Sequence, residues 1–274
     1  VLMVKQAIIP LAGLGTRLLP LSSVIPKELL PINGKPNLEY ILDECLQAGI
    51  KQFIFVVPKN RPSIKKYFFN DNFYKKILKK KKNDKRLEKV FKRLKKFQKM
   101  IKFVYQNKPE GTGHAVLQCK KYLKGTHFLM LLADDLIVKK NCSKEMISLH
   151  KKTKGSVIAT RKVERKTVSR WGILGFKNKA KNSFLINDVV EKPKLSEAPS
   201  NYAIIGRYIL PMKILSVLKN QGKGKGGEIH ITDAIKTLVK KNEKFYGNIF
   251  KGKYIDCGTL DGYVNSGLTI SKYL

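Results

Sequence analysis

A mostly apolar run from Val4 to Pro10 opens the chain. Runs of this length bounded by turn residues belong to strands buried on both faces. From Asn37 to Ala48, Leu38, Ile41, Leu42, Cys45 and Leu46 recur at i, i+3, i+4 spacing, which predicts a one-sided helix stopped at Gly49. Gln52–Val57 then reads as a second buried strand. Strand, loop, helix and strand in this order open a parallel α/β sheet. A short helix is expected over Arg61–Asn70, and another in the later half of Tyr74–Met100, where Leu87, Val90, Phe91, Leu94 and Phe97 share one face. Strands at Ile101–Tyr105, Phe128–Ala133 and Ser156–Val163 alternate with helices from Gly111 to about Leu123 and over Ser143–Lys151.

Beyond residue 163 the texture changes. Gly172–Phe176, Phe184–Glu191 and Ala203–Leu210 read as strands in succession, the mark of a partly antiparallel section. Gln221–Gly227 is a glycine-rich loop before a helix near Ile231–Lys240. Short strands at Lys244–Phe250 and Tyr254–Asp256 and a final helix over Thr259–Leu274 complete the pattern. The pattern predicts an α/β fold without internal repeats. One domain over 1–274 is expected, with a first half to about 135 and a second from about 136.

Composition narrows the picture less than its extremes suggest. Net charge is +36, which invites a nucleic-acid or anionic-membrane reading. The 75–102 segment holds 15 lysines and arginines against Asp84 and Glu88, a net +13, so +23 lies elsewhere. An excess spread this widely suits a general lysine bias better than one binding patch, and the basic helix is expected to pack its apolar stripe. No specific nucleic-acid partner and no membrane are expected. No apolar run approaches the ~20 residues that span a bilayer. Cys45, Cys119, Cys142 and Cys257 are scattered, which favours reduced thiols and a cytoplasmic location.

Candidate chemistry starts where the first strand ends. Gly13 and Gly15 let backbone N–H groups approach a ligand, and Arg17 and Lys27 supply cations beside them. That combination cradles a polyphosphate. A dinucleotide site is disfavoured, because Leu18 stands where the third glycine belongs and no acid follows the second strand. There is no Walker A motif, no zinc spacing among His114, His127, His150 and His230, and no serine elbow. Asp134 and Asp256 each end a strand and could together hold Mg²⁺ with substrate phosphates, or simply cap turns. Glu191-Lys192 sets an acceptor beside a cation, suited to a sugar hydroxyl and a phosphate, or to an exposed salt bridge.

Taken together, Ala12-Gly-Leu-Gly-Thr-Arg17, Ile25-Pro-Lys-Glu28, Gln106 with Gly111-Thr-Gly-His-Ala115, Val190-Glu-Lys-Pro193, Ser200-Asn201, Gly206-Arg-Tyr208, Glu228 with Thr232-Asp-Ala-Ile235, and Asp256-Cys-Gly258 with Gly262-Tyr263 stand in one order. The set resembles the bacterial UTP–glucose-1-phosphate uridylyltransferases from about Lys5 to Tyr263. The resemblance implies a nucleotide-diphospho-sugar transferase fold, a Rossmann-like mixed, mainly parallel sheet flanked by helices. It implies transfer of the uridylyl group of UTP to glucose 1-phosphate with release of diphosphate, assisted by Mg²⁺. Ala12, Gly13, Gly15 and Thr16 would hold the nucleotide, Gln106 and Gly113 would read uracil, and Arg17 and Lys27 would act on the triphosphate. Asp134 and Asp256 would ligate the metal, Asp134 also lying at the nucleotide. Gly172, Glu191 and Gly206 would contact the sugar, and Lys192 its phosphate.

The chain departs from the family pattern at Ala133, usually proline, at Asp135, usually apolar, at Tyr105 and at Gly227; register favours Asp134 over Asp135 as the ligand. The resemblance also implies a homo-oligomer, a dimer or a tetramer, although the chain lacks the longer segment that follows Tyr263 in the family. The competing readings are a nucleotidyltransferase for dTTP with glucose 1-phosphate or for UTP with N-acetylglucosamine 1-phosphate, a non-catalytic regulatory paralogue, and a nucleic-acid-binding protein.

Overall fold

A computed structural model describes residues 3–273; Leu274, the expected end of the last helix, lies outside them. Strand β1 (Gln6–Pro10) leads into a loop with short 3-10 turns and a two-residue hairpin, β2 (Pro31–Ile32) and β3 (Lys35–Pro36). Then follow α1 (Asn37–Gln47), β4 (Gln52–Val57), α2 (Ser63–Phe68), α3 (Asp71–Lys80), α4 (Lys85–Met100) and β5 (Ile101–Tyr105). The middle of the chain forms α5 (Thr112–Gln118), β6 (His127–Leu131), β7 (Asp135–Val138), α6 (Cys142–Thr153) and β8 (Ser156–Lys162). The rest comprises β9 (Gly172–Lys179), β10 (Ser183–Glu191), β11 (Tyr202–Pro211), α7 (Ile214–Asn220), α8 (Ile231–Lys240), β12 (Phe245–Ile249), β13 (Lys253–Asp256) and α9 (Leu260–Ser271).

Nine strands form one twisted sheet in the order β5-β4-β1-β6-β11-β8-β12-β10-β9. The pairs β5–β4, β4–β1, β1–β6 and β8–β12 are parallel, while β11 and β10 run against their neighbours. Direction is therefore shared by seven strands, and the sheet is mixed but mainly parallel. Alternating side chains feed two cores. Phe53, Phe55 and Ile9 point to the face covered by α1, α4, α6 and α9, where Leu38, Phe97, Met146 and Ile270 are buried. Ile8, Ile54 and Val56 point to the opposite face, against Val116, Leu218 and Ile235 of α5, α7 and α8. This is the period-2 alternation of a sheet buried on both sides.

Local signals explain most element ends. Gly49 takes φ +87° after α1. Asp84, Asn141 and Thr259 cap α4, α6 and α9 by accepting from Leu87 N, Lys144 N and Gly262 N. The basic segment differs from expectation. It forms two helices broken at Asn83, which has φ +63°, and only Leu94 and Phe97 of α4 are buried, with none of α3. The expected strand to Ala133 stops at Leu131, and the helix expected to Leu123 ends at Gln118 before a 3-10 turn. Strand β7 and helix α7 were not anticipated. The former is a ribbon with β13, pairing Asp135 with Asp256; no local pattern marks a partner that distant.

Candidate active site

The loop after β1 passes over the carboxyl edge of the sheet, where open α/β sheets bind ligands. Gly15 has φ +68°, a left-handed conformation, and a Cβ there would lie 3.1 Å from Ser22 Cβ. Ser22 Oγ donates to Gly15 O at 2.8 Å and so pins the turn. Among the described residues, no backbone acceptor takes a hydrogen bond from the N–H of Ala12, Gly13, Leu14 or Gly15. Four consecutive donors without a backbone partner form an anion-binding edge.

Lys27 reaches under this loop, and its Nζ donates to Asp134 Oδ2 at 2.6 Å. Arg17 stands 3.7 Å from both Asp134 and Asp256. Burial opposes the Lys27 charge most strongly, but the Asp134 and Glu28 carboxylates together outweigh it and raise the lysine above its ordinary value. Burial likewise pushes the Asp134 carboxyl up, and Lys27, then Arg17, reverse the direction and hold it below the usual carboxylate range. Among the described residues, neighbouring Asp135 has no such cation in contact. Burial, then repulsion from Asp134, pushes it up to about 7. Burial also raises Glu28 to about 7, against the pull of Lys27.

Long-range pairing brings Asp134 and Asp256 together. The β7–β13 ribbon sets Asp135 opposite Asp256, and Cys257 N donates to Asp134 O at 2.8 Å. Tyr254 Oη donates to Asp135 Oδ1 at 2.6 Å and so ties that carboxylate to β13. The space between Asp134 and Asp256 is kept by Gly258. A Cβ there would lie 2.6 Å from Asp134 Oδ2, 2.8 Å from Arg17 Nη2 and 3.2 Å from Asp256 Oδ1. Two carboxylates around a gap of this kind are a hard-oxygen donor set of the type that fits a divalent cation completing its shell with other oxygens.

Two cavities meet at Asp134. The larger, about 430 Å³, is lined by Ala12, Gly13, Gly15, Thr16, Lys27 and Gln106. The smaller, about 260 Å³, is lined by Arg17, Gly172, Glu191, Lys192, Gly206 and Asp256. Asp134, Leu132, Thr112 and Glu228 belong to both. Gln106 is buried, and its Nε2 lies 2.8 Å from His114 Nδ1, so the amide is held at the cavity wall. In the smaller cavity Glu191 Oε2 accepts from Thr232 Oγ1 at 2.9 Å. Lys192, at φ +45°, brings its ammonium 3.8 Å from the other Glu191 oxygen.

Gly113 is the one expected site residue not brought to a cavity wall. Its N–H donates to Ile229 O at 2.8 Å, and a Cβ would come within 2.7 Å of that oxygen and of Leu218 Cδ2. Gly206 lines the smaller cavity but also makes room behind it, since a Cβ would lie 2.3 Å from Asp135 Oδ2. Tyr254, Thr232 and Trp171 were missed. Trp171 packs edge-on to Tyr254 at 6.1 Å. It is the chain's only tryptophan and adjoins Gly172, and Thr232 sits in a motif already noted, so both left a signal; Tyr254 left none.

Comparison with known proteins identifies the family. A family model described as nucleotidyl transferase matches residues 6–272. A Staphylococcus saprophyticus protein named UTP–glucose-1-phosphate uridylyltransferase 2 is 38% identical over 264 residues, covering 96% of this chain and 90% of the relative. A protein of the same name from Streptococcus pyogenes serotype M3 is 37% identical over 271 residues, covering 97% and 89%. Among solved structures, a UDP-glucose pyrophosphorylase complexed with UDP-glucose matches with TM-score 0.86 at 34% identity, covering 99% of this chain and 100% of the other. A UTP-bound UGPase from Acinetobacter baumannii matches with TM-score 0.84 at 32% identity, covering 99% and 95%. Nucleotidyl transferases of this family generally use a divalent metal.

Proposed function

The chain belongs to the nucleotidyl transferase family, on the branch of the UTP–glucose-1-phosphate uridylyltransferases, and from that premise we propose how its site transfers the uridylyl group of UTP to glucose 1-phosphate. The observation that carries the reading is the pair of cavities joined at Asp134, one edged by unpartnered N–H groups and the other by Glu191-Lys192. UTP lies in the larger, its phosphates along Ala12–Thr16 and its base toward Gln106. Glucose 1-phosphate lies in the smaller, its hydroxyls at Glu191, Gly172 and Gly206 and its phosphate at Lys192.

A phosphate oxygen of glucose 1-phosphate forms the new bond to the α-phosphorus of UTP, the bond from that phosphorus to the bridging oxygen breaks, and diphosphate leaves with the electron pair. The nucleophile is already an anion, so no side chain has to remove a proton. What the site must do is hold two polyanions together and offset the charge that grows on the leaving group. Lys27 and Arg17 are placed for this, and Lys192 fixes the attacking phosphate. Mg²⁺, held by Asp134 and Asp256, would add charge neutralisation at the transferring phosphate when bound.

The same reading divides the chain at about residue 135 into a nucleotide-binding part and a sugar-phosphate-binding part, which the two cavity linings support. It also takes the protein to be a cytoplasmic homo-oligomer, a dimer or a tetramer. Support comes from four buried cysteines without disulfides and from Leu260, Val264 and Leu268, an exposed apolar stripe along α9. Among the described residues, no helix is long and apolar enough to cross a membrane. Diphosphate release measured over a grid of nucleoside triphosphates and sugar 1-phosphates tests the activity. UTP with glucose 1-phosphate is expected to be the best pair, and a preference for dTTP, or no turnover, would overturn the reading.

A further inference from the structure

Arg207 has no place in the chemistry above, yet its side chain is wholly buried directly behind the site. It sits on β11 opposite Leu131. Its Nη2 donates to Glu44 Oε2 at 2.9 Å, and its Nε approaches Glu44 Oε1 at 3.4 Å. Its remaining nitrogen, Nη1, donates to Leu132 O at 3.2 Å. Glu44 belongs to α1, and its Oε1 also accepts from the N–H and the hydroxyl of Ser143 in the first turn of α6, at 3.0 and 2.6 Å. One buried guanidinium thus ties two helices to the carbonyl two residues before Asp134.

Leu132 itself lines both cavities, and its N–H donates to Gly206 O at 2.8 Å. The turn 132–134 joins β6 to β7: Leu132 N is tied to Gly206 O, Asp134 O accepts from Cys257 N, and Arg207 holds the Leu132 carbonyl, so its path depends on these few bonds. A buried ion pair is a poor device for stability alone, because well-packed apolar residues of equal volume hold a fold about as well. A planar fork that grips a carboxylate and a carbonyl at once is, however, a good device for fixing geometry.

We propose that Arg207 is a positioning residue: clamped by Glu44, it fixes the Leu132–Asp134 turn, and through it the place of the Asp134 carboxylate between the two substrates. This rests on the uridylyl-transfer reading. The consequence is a split between rate and binding. The Ala12–Thr16 backbone, Gln106, Lys192 and Glu191 make no contact with the clamp, so ground-state binding survives its loss, while a misplaced Asp134, and the Lys27 ammonium bonded to it, slow the step itself.

The experiment compares the native enzyme with the double variant Glu44→Gln/Arg207→Met, which removes both buried charges at similar volume. Steady-state kinetics with UTP and glucose 1-phosphate are read beside thermal unfolding. Expected are a Tm within about 5 °C of native, a kcat lower by about 10²-fold, and KM values for both substrates within about 3-fold, little more than the scatter of a few tenths of a kcal/mol. A folded double variant with native kcat would show a purely structural pair and overturn the proposal. If the double variant does not fold, Arg207→Lys decides. Its ammonium is a single point without the planar fork whose separate nitrogens reach Glu44 and Leu132 O, so kcat is expected to fall at unchanged KM, and native kcat again overturns the clamp. Absence of turnover in the native enzyme itself would refute the activity instead.

Discussion

Replacing Gly258 by alanine tests the carboxylate gap with the smallest possible side chain. Gly258 is outside the left-handed region, so alanine fits its backbone without strain. The new methyl would stand 2.6 Å from Asp134 Oδ2, about 0.8 Å inside ordinary contact, and 2.8 Å from Arg17 Nη2. Both are ends of side chains, so the fold accommodates the methyl by displacing them. The stability cost is small, offset by the roughly 0.4–1 kcal/mol that a Gly→Ala change contributes through the unfolded chain. The cost to catalysis is not small. A reacting group moved by about 1 Å loses about 10²-fold in rate, close to 2.7 kcal/mol of transition-state stabilisation. Gly258→Ala is therefore expected to unfold within a few degrees of native and to release diphosphate about 10²-fold more slowly at saturating substrates. Near-native turnover would refute the idea that Gly258 keeps the space between Asp134 and Asp256, and a collapse of Tm would refute the claim that only side-chain ends are displaced.

Asp134→Asn and Asp256→Asn are each expected to cost orders of magnitude in kcat, and EDTA to abolish turnover until Mg²⁺ is restored; full activity in either variant removes that residue from the metal site. Lys192→Met is expected to raise KM for glucose 1-phosphate by about 10–100-fold, the worth of one charge-assisted hydrogen bond, while leaving KM for UTP near native; the reverse pattern would place Lys192 on the nucleotide. Stability carries a histidine signature far from the site. Burial, then neighbouring His150, lowers His127 to about 4, below its ordinary value near 6.5. The fold prefers the neutral ring, so above about 6.5 there is no pH effect, and stability falls as pH drops from about 6.5 towards 4 while only the unfolded chain takes the proton. The fall in Tm between pH 7.5 and 5 is expected to be smaller in His127→Gln, and an equal fall in both proteins counts against it.

Much of this was legible before any coordinates. Short apolar runs and the period-3.6 pattern placed β1, α1, β4 and β5 almost to the residue, because a strand buried on both faces and a helix buried on one each leave that record in their own side chains. The glycine loop with Arg17 and Lys27 pointed to a polyphosphate for an equally local reason: a tight turn needs glycine, and an anion needs donors. The resemblance then carried Gln106, Asp134, Glu191, Lys192 and Asp256 to positions that the fold brings to two adjoining cavities. Gly113 shows where a motif stops informing, since one neighbour, Ile229 O, takes its N–H.

Tertiary structure alone decided the relations across the chain. Nothing near residue 135 says that Asp135 will pair with Asp256 in a ribbon, or that Tyr254 will donate to its carboxylate. Nor does Arg207, read in its own apolar strand, disclose a partner 163 residues earlier on α1. Local order is written in neighbours a few residues apart, where side-chain size and backbone preference act directly. The distance between two carboxylates, the gap that Gly258 leaves among them and the buried fork behind them exist only once distant segments pack together. That packing sets the glycine loop beside two adjoining cavities, the room that the proposed pair of substrates needs.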